Sequence, residues 1–206
     1  MQTTDGRLAG LNLSEDEILD LSSEYDGGIL PEHVIAAVED SLDQGETHYT
    51  TRPGLPALAR AVAQKLNREQ GLELDPAQGV IISTGGREGL FAATQVLTGP
   101  GDEVLVPALR PAFIDADIRL AKAVLVPIPQ TSEDGFQIKA KSIHACLSDK
   151  SRLLLLSNPA NPTGTVIPAE ELKTIAALAE AHDLTVISDE SLDDSVDGEA
   201  RHTSIA

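Results

Sequence analysis

The chain predicts an α/β fold of three layers, a mostly parallel sheet covered by helices on both faces. Two observations carry this. Short apolar runs of strand length, at 103–106, 123–128, 152–156 and 184–188, alternate with stretches whose apolar residues recur at helical spacing. The run Leu153-Leu154-Leu155-Leu156 is apolar at every position. That is the pattern of a strand buried on both faces, which parallel sheets require.

The elements follow in order. Residues 1–28 are polar and end in Asp26-Gly27-Gly28. They read as an N-terminal arm with a short helix over 14–21, where Ser14 caps and Glu17 closes the capping box. Pro31 opens a helix with Val34, Ile35 and Val38 on one face, and Gly45 ends it. Pro56 opens a second helix, with Leu58, Val62 and Leu66 as its apolar stripe. Gly79 precedes Val80-Ile81-Ile82-Ser83, expected as a short strand. Gly85-Gly86 leads into a helix over 87–97. Strands at 103–106 and 123–128 come next, then a helix over 138–145 and the strand at 152–156. A helix over 168–181 has Pro168 in its first turn, and Glu170-Glu171 suit its positive end. The strand at 184–188 completes the alternation. Residues 1–48 are expected to be the arm and first helix, part of a small domain, and 49–206 a large domain that is incomplete at its C-terminus.

Composition bounds the function. The 206 residues suffice for one substantial core or two small ones. Aromatics are 2% of the chain, so the core must be built from Leu, Ile, Val and Ala. The net charge of −18 disfavours nucleic acid and anionic membrane surfaces, both of which need basic protein. Cys146 is the only cysteine, which excludes an intramolecular disulfide. Its apolar neighbours suggest a buried structural thiol rather than a nucleophile. No apolar run approaches membrane-spanning length and no signal pattern opens the chain, so a cytoplasmic setting is expected.

The most informative stretch is Asn158-Pro159-Ala160-Asn161-Pro162-Thr163-Gly164. It follows a buried strand, and its prolines stop regular structure while stiffening the chain. Two Asn amides are thus held at the end of a strand, where α/β sheets bind ligands. The next strand ends in Ser188-Asp189-Glu190. A rigid Asn and a strand-end acid on successive strands suit one polar ligand bearing a hydroxyl and a basic ring nitrogen. Upstream, Ser83-Thr84-Gly85-Gly86-Arg87 lies between an expected strand and a helix. Its glycines let a ligand approach the backbone, and the helix N-terminus offers amides to a phosphate. A tight turn accounts for the glycines equally well, as a turn cap does for Asp189.

The sequence resembles the class I/II aminotransferases, the fold type I enzymes that use pyridoxal 5′-phosphate. Beside the Asn-Pro loop and Ser-Asp-Glu, the resemblance rests on Thr47-His48-Tyr49-Thr50 with Gly54, on Ser83 to Phe91, and on Gly99-Pro100-Gly101-Asp102-Glu103-Val104. It implies an enzyme that moves an amino group between an amino acid and a 2-oxo acid. It further implies that Gly86 and Arg87 hold the cofactor phosphate, mainly through backbone amides. Asp189 would pair with the pyridine nitrogen and keep the ring an electron sink. Asn161 would bond the phenolic oxygen, with Asn158 supporting the loop. Tyr49 would reach the phosphate of a neighbouring subunit, making the full-length protein a homodimer. No metal is expected.

Three departures qualify the resemblance. The family's ring-stacking aromatic aligns with Arg110 or Pro111, and Phe113 is the only aromatic nearby. A Tyr common three residues after the Asp is replaced by Leu192. The Schiff-base lysine, which also moves the substrate proton, lies beyond the Asp in the family, whereas this sequence has no Lys after Lys173. The expectation is the N-terminal half of an aminotransferase, inactive alone. Two alternatives stay open: a non-catalytic cofactor-binding or interaction module of the same descent, and a lyase of the same fold.

Overall fold

The computed structural model describes residues 29–196 and 201–206. The expected arm and the helix at 14–21 lie outside them. The chain divides into two units, one ending at Tyr49 and one running from Thr50 to Ala206.

In the first unit, α1 (Glu32–Asp43) starts after Pro31 and is capped by Gln44, just before Gly45, whose φ is +76°. None of its residues is buried. The second unit contains α2 (Pro56–Gln70), α3 (Gly85–Leu97), β1 (Glu103–Pro107), α4 (Phe113–Leu120), β2 (Val124–Ile128), α5 (Ala140–Ala145), β3 (Ser151–Ser157), α6 (Ala169–Ala181) and β4 (Thr185–Asp189). All pairings are parallel, in the order β2-β1-β3-β4.

The all-apolar β3 explains the three layers. Successive strand side chains leave on opposite faces. Leu153 and Leu155 join Val104, Val106, Leu90, Ile114 and Ile118 beneath α3 and α4. Leu154 and Leu156 join Leu105, Ile128, Ile143, Leu172 and Ile175 beneath α5 and α6. Burying one such side chain fully is worth about 1.5–3 kcal/mol, and β3 contributes two to each core. β2 is an edge strand. It tolerates Pro127, which has no N–H for a further neighbour.

Three expectations need correction, and one helix was missed. Residues 80–83 form no strand: Ile82 N–H bonds Pro53 O at 2.8 Å, and no ladder accompanies it among the described residues. A run of β-prone residues becomes a strand only beside another strand. Here Val80 packs instead with Ala59 and Ala63. Those two alanines are the buried face of α2, whereas Leu58, expected in its stripe, is exposed. The helix expected from 138 starts at Ala140, because Ile138 and Lys139 precede it in extended chain. Helix α4 was not anticipated, although Ile114 and Ile118, four residues apart and both buried, mark one helical face.

Gly54 shows how closely the chain passes itself here. Its φ is +132°, and an added Cβ would lie 2.6 Å from the Ile82 side chain. Only glycine fits that turn.

Candidate functional site

Every parallel strand delivers its C-terminus to one side of the sheet, so the loops after β1, β3 and β4 and the start of α3 are the elements to inspect.

The loop after β3 is the most tightly built. Asn158 is 1% exposed. Its Oδ1 accepts from Ile167 N–H at 2.9 Å, and its Nδ2 donates to Thr203 O at 3.0 Å. Its backbone N–H donates to Asp189 O at 2.9 Å, continuing the ladder past the strand ends. Ala160 and Thr165 close the loop at 2.8 Å, and the peptides before Pro159 and Pro162 are cis. Asn158 is therefore a structural tie. Asn161, three residues on, is half-buried and engaged within the chain.

Asp189 ends β4 opposite Ser157. Its Oδ1 accepts from Ser191 N–H at 3.1 Å and from the Ser191 hydroxyl. The turn-capping role is thus present, and it aims the carboxylate. Ser191 in turn lies against α3: a Cβ built on Gly86 would be 3.6 Å from Ser191 Oγ. The Ser191 hydroxyl, bonded to the Asp189 carboxylate, thus stands beside the start of α3. Its signal in the sequence was the Asp-x-Ser spacing of a side-chain turn.

The first turn of α3 has no preceding helical carbonyls for its amides. Gly85 has φ +77° and open space where a side chain would stand. Glu88 reaches back so that its carboxylate accepts from Thr84 N–H, which holds its carboxyl below the usual range. It also sets a negative charge at this helix end. The Arg87 side chain turns away to α4, its guanidinium 4.5 Å from the Phe113 ring centroid. Burial pushes the Asp117 carboxyl up, and Arg87 pulls it the other way.

After β1, Arg110 is 14% exposed and grips Asp115 with two bonds, at 2.6 and 3.1 Å. It also donates to Pro107 O and Ala108 O, both at 3.0 Å. Four of its five N–H donors are thereby used in one plane. This ion pair escaped sequence reading because five residues separate its members across a helix start. Leu192 is 38% exposed, and Tyr49, in the other unit, is fully exposed. The structure thus brings Gly86 and Asp189 together and puts Asn161 on the loop beside the Asp189 strand. It engages Arg87 by side chain elsewhere.

A glycine-lined helix start, a strand-end carboxylate and a neighbouring Asn amide fit a ligand with an anionic group at one end and a basic ring nitrogen at the other. Comparison with known proteins places the chain in a family. Residues 10–206 match the family model of aminotransferase class I and II. The chain belongs to that family. It is 36% identical over 178 residues to the aspartate aminotransferase of Musicola paradisiaca, covering 85% of this chain and 44% of that protein. Among solved structures, the aromatic aminotransferase of Pyrococcus horikoshii superposes with a TM-score of 0.88 at 31% identity, over 94% of this chain and 52% of that one. The aspartate aminotransferase of Thermus thermophilus, solved with maleate, gives 0.81 at 35%, over 85% and 45%. The chain spans about half the length of the relatives it matches. No helix among the described residues is long and apolar enough to cross a membrane.

Proposed function

We propose that these residues are the cofactor-binding part of a pyridoxal-phosphate-dependent aminotransferase that exchanges an amino group between an amino acid and a 2-oxo acid. The observation that carries this is the Gly86–Ser191–Asp189 junction, which sets helix-start amides beside an oriented carboxylate. Asp189 faces the pyridine nitrogen in this reading, and the cofactor then supplies an electron sink. The amides of Gly86 and Arg87 hold the phosphate, Asn161 bonds the phenolic oxygen, and residues 49–206 are the large domain. Tyr49 serves a neighbouring subunit of a homodimer, for which its full exposure is suited. The single cysteine supports a cytoplasmic setting. Relatives named for aspartate make that amino acid the first to assay.

The 206 residues alone are expected to transaminate nothing. Lys122 and Lys150 precede β2 and β3, at the far end of the sheet. Lys65, Lys139 and Lys173 pair with Asp193 at 3.4 Å, Asp134 at 3.4 Å and Glu170 at 2.7 Å, and Lys141 is exposed on α5. The test uses pyridoxamine 5′-phosphate, which keeps the ring, hydroxyl and phosphate but has no carbonyl for a lysine. Asp189→Ala should weaken its binding about tenfold or more, since charge-assisted bonds contribute about 1.5–3 kcal/mol. Arg87→Ala should change little, because its amide remains. Failure of the unmutated protein to bind this probe defeats the proposal. Stoichiometric borohydride trapping of pyridoxal phosphate on one of these lysines, with turnover, would instead overturn the expected inactivity of the 206 residues.

A further inference from the structure

The same strand end carries a second carboxylate that the reading above leaves without a task. Glu190 follows Asp189, and neighbouring residues of extended chain direct their side chains to opposite sides. Glu190 shares its side with Ser188, whose Oγ donates to Glu190 Oε1 at 2.8 Å. Ser204 Oγ donates to the same oxygen at 2.9 Å. The other oxygen faces Gln70 Nε2 of α2 at 3.4 Å and His202 Nε2 at 3.6 Å. The Glu190 and His202 side chains are only 17% and 12% exposed.

His202 Nε2 is buried and has no hydrogen-bond partner. A ring nitrogen with a bare lone pair facing a carboxylate 3.6 Å away would be repelled, so the tautomer that suits this arrangement has its proton on Nε2. Left unpaired, either buried group would be costly. Together they draw α2, the end of β4 and residues 202–204 onto one carboxylate. The same stretch receives Asn158 Nδ2 at Thr203 O. Both strand ends that carry the proposed ligand contacts are therefore tied to residues 202–204.

We propose that Glu190 and His202 are a positioning pair for Asp189. Anchoring residue 190 on one side of the chain fixes the 189–190 peptide, and with it the direction in which Asp189 leaves on the other side. This rests on the reading that Asp189 faces the cofactor ring, and the experiment separates the two. His202→Ala, His202→Gln and Glu190→Gln are compared in the protein without cofactor by hydrogen exchange at the Asn158 and Ser191 amides, which bond Asp189 O and Oδ1.

Affinity for pyridoxamine 5′-phosphate and the overall unfolding midpoint are measured alongside. His202→Ala should speed exchange at both amides about tenfold beyond any change in global opening. It should also weaken the probe about tenfold, which is about 1.4 kcal/mol. His202→Gln, whose amide can donate to Glu190, should stay within about threefold of the unmutated protein in both. A lowered midpoint with unchanged local exchange and unchanged affinity would reduce the pair to a fastener of the 202–204 stretch and overturn the proposal. If the unmutated protein does not bind the probe but His202→Ala still frees the two amides, the cofactor reading fails and the hold on Asp189 stands.

Discussion

β3 and residues 80–83 are both short runs of β-prone apolar residues, yet only one is a strand. Leu153 to Leu156 are at most 2% exposed, whereas Ile81 is 77% exposed. β3 has a parallel neighbour on each side, while the bond that ties residues 80–83 to a distant segment is Ile82–Pro53. Apolar composition nominates a strand, and adjacent backbone makes it one. The loops that follow differ in the same way. After β3, Asn158 satisfies both ends of its amide inside the chain. After residue 83, the start of α3 leans on its own Glu88.

Core truncations test this contrast most directly. Leu154→Ala should destabilise the protein by about 2–5 kcal/mol, because it opens a cavity between α6 and the sheet. Ile81→Ala should change stability by no more than about 0.5 kcal/mol, as an exposed side chain with little to lose. Urea unfolding of the two variants measures both. Equal losses would show that residues 80–83 are packed as β3 is.

Asn158→Ala comes next. It leaves Ile167 N–H and Thr203 O without their partners, at about 1–3 kcal/mol for a buried unsatisfied group. The loss should be accompanied by faster exchange at the Ile167 amide. Asn161→Ala, on the same loop but only half-buried, should cost less stability and more affinity for the probe. A reversed order would exchange the roles of the two asparagines.

What the sequence made legible follows the same line. The four described strands were readable because β1 and β3 are buried on both faces and their apolar runs are nearly continuous. The supporting role of Asn158 was legible only through the family resemblance, and its bonds to Ile167 and Thr203 bear it out. The supposed strand at 80–83 was misread because a neighbour cannot be seen in a local run. The Leu58 stripe was misread because α2 packs through Ala59 and Ala63, whose small side chains bring the helix close. Helix α4 is only eight residues long and follows two prolines, so turn signals concealed it. At the site, Gly86 and Asp189 stood out by motif. Ser191 had a local signal in the Asp-x-Ser spacing, whereas Glu190 and His202 could not be read, because their roles depend on which chain segments meet in space. Arg110 stood out only as a residue aligned with the ring-stacking aromatic, and nothing local announced its pair with Asp115.

The smallest expected effect concerns Glu88 and separates two tasks of one helix start. Its folded-state carboxyl is held low by the Thr84 N–H bond. A lowered folded value means that the ionised group stabilises the native state above its unfolded value, about 4.3, and that this contribution disappears as pH falls through the folded value. Glu88→Gln keeps an acceptor for Thr84 but removes the charge. The difference in stability between the two proteins should therefore be constant from neutral pH to about pH 5 and shrink below that. Ligand binding should move in the opposite sense. The carboxylate occupies the positive end of α3 that an incoming phosphate would use. Glu88→Gln should accordingly lose a little stability at neutral pH while binding pyridoxamine 5′-phosphate more tightly, with the gain largest at low salt because this charge is exposed and screened. If affinity is unchanged at every salt concentration, the phosphate does not approach this helix end, and Gly86 and Arg87 lose the role proposed for them.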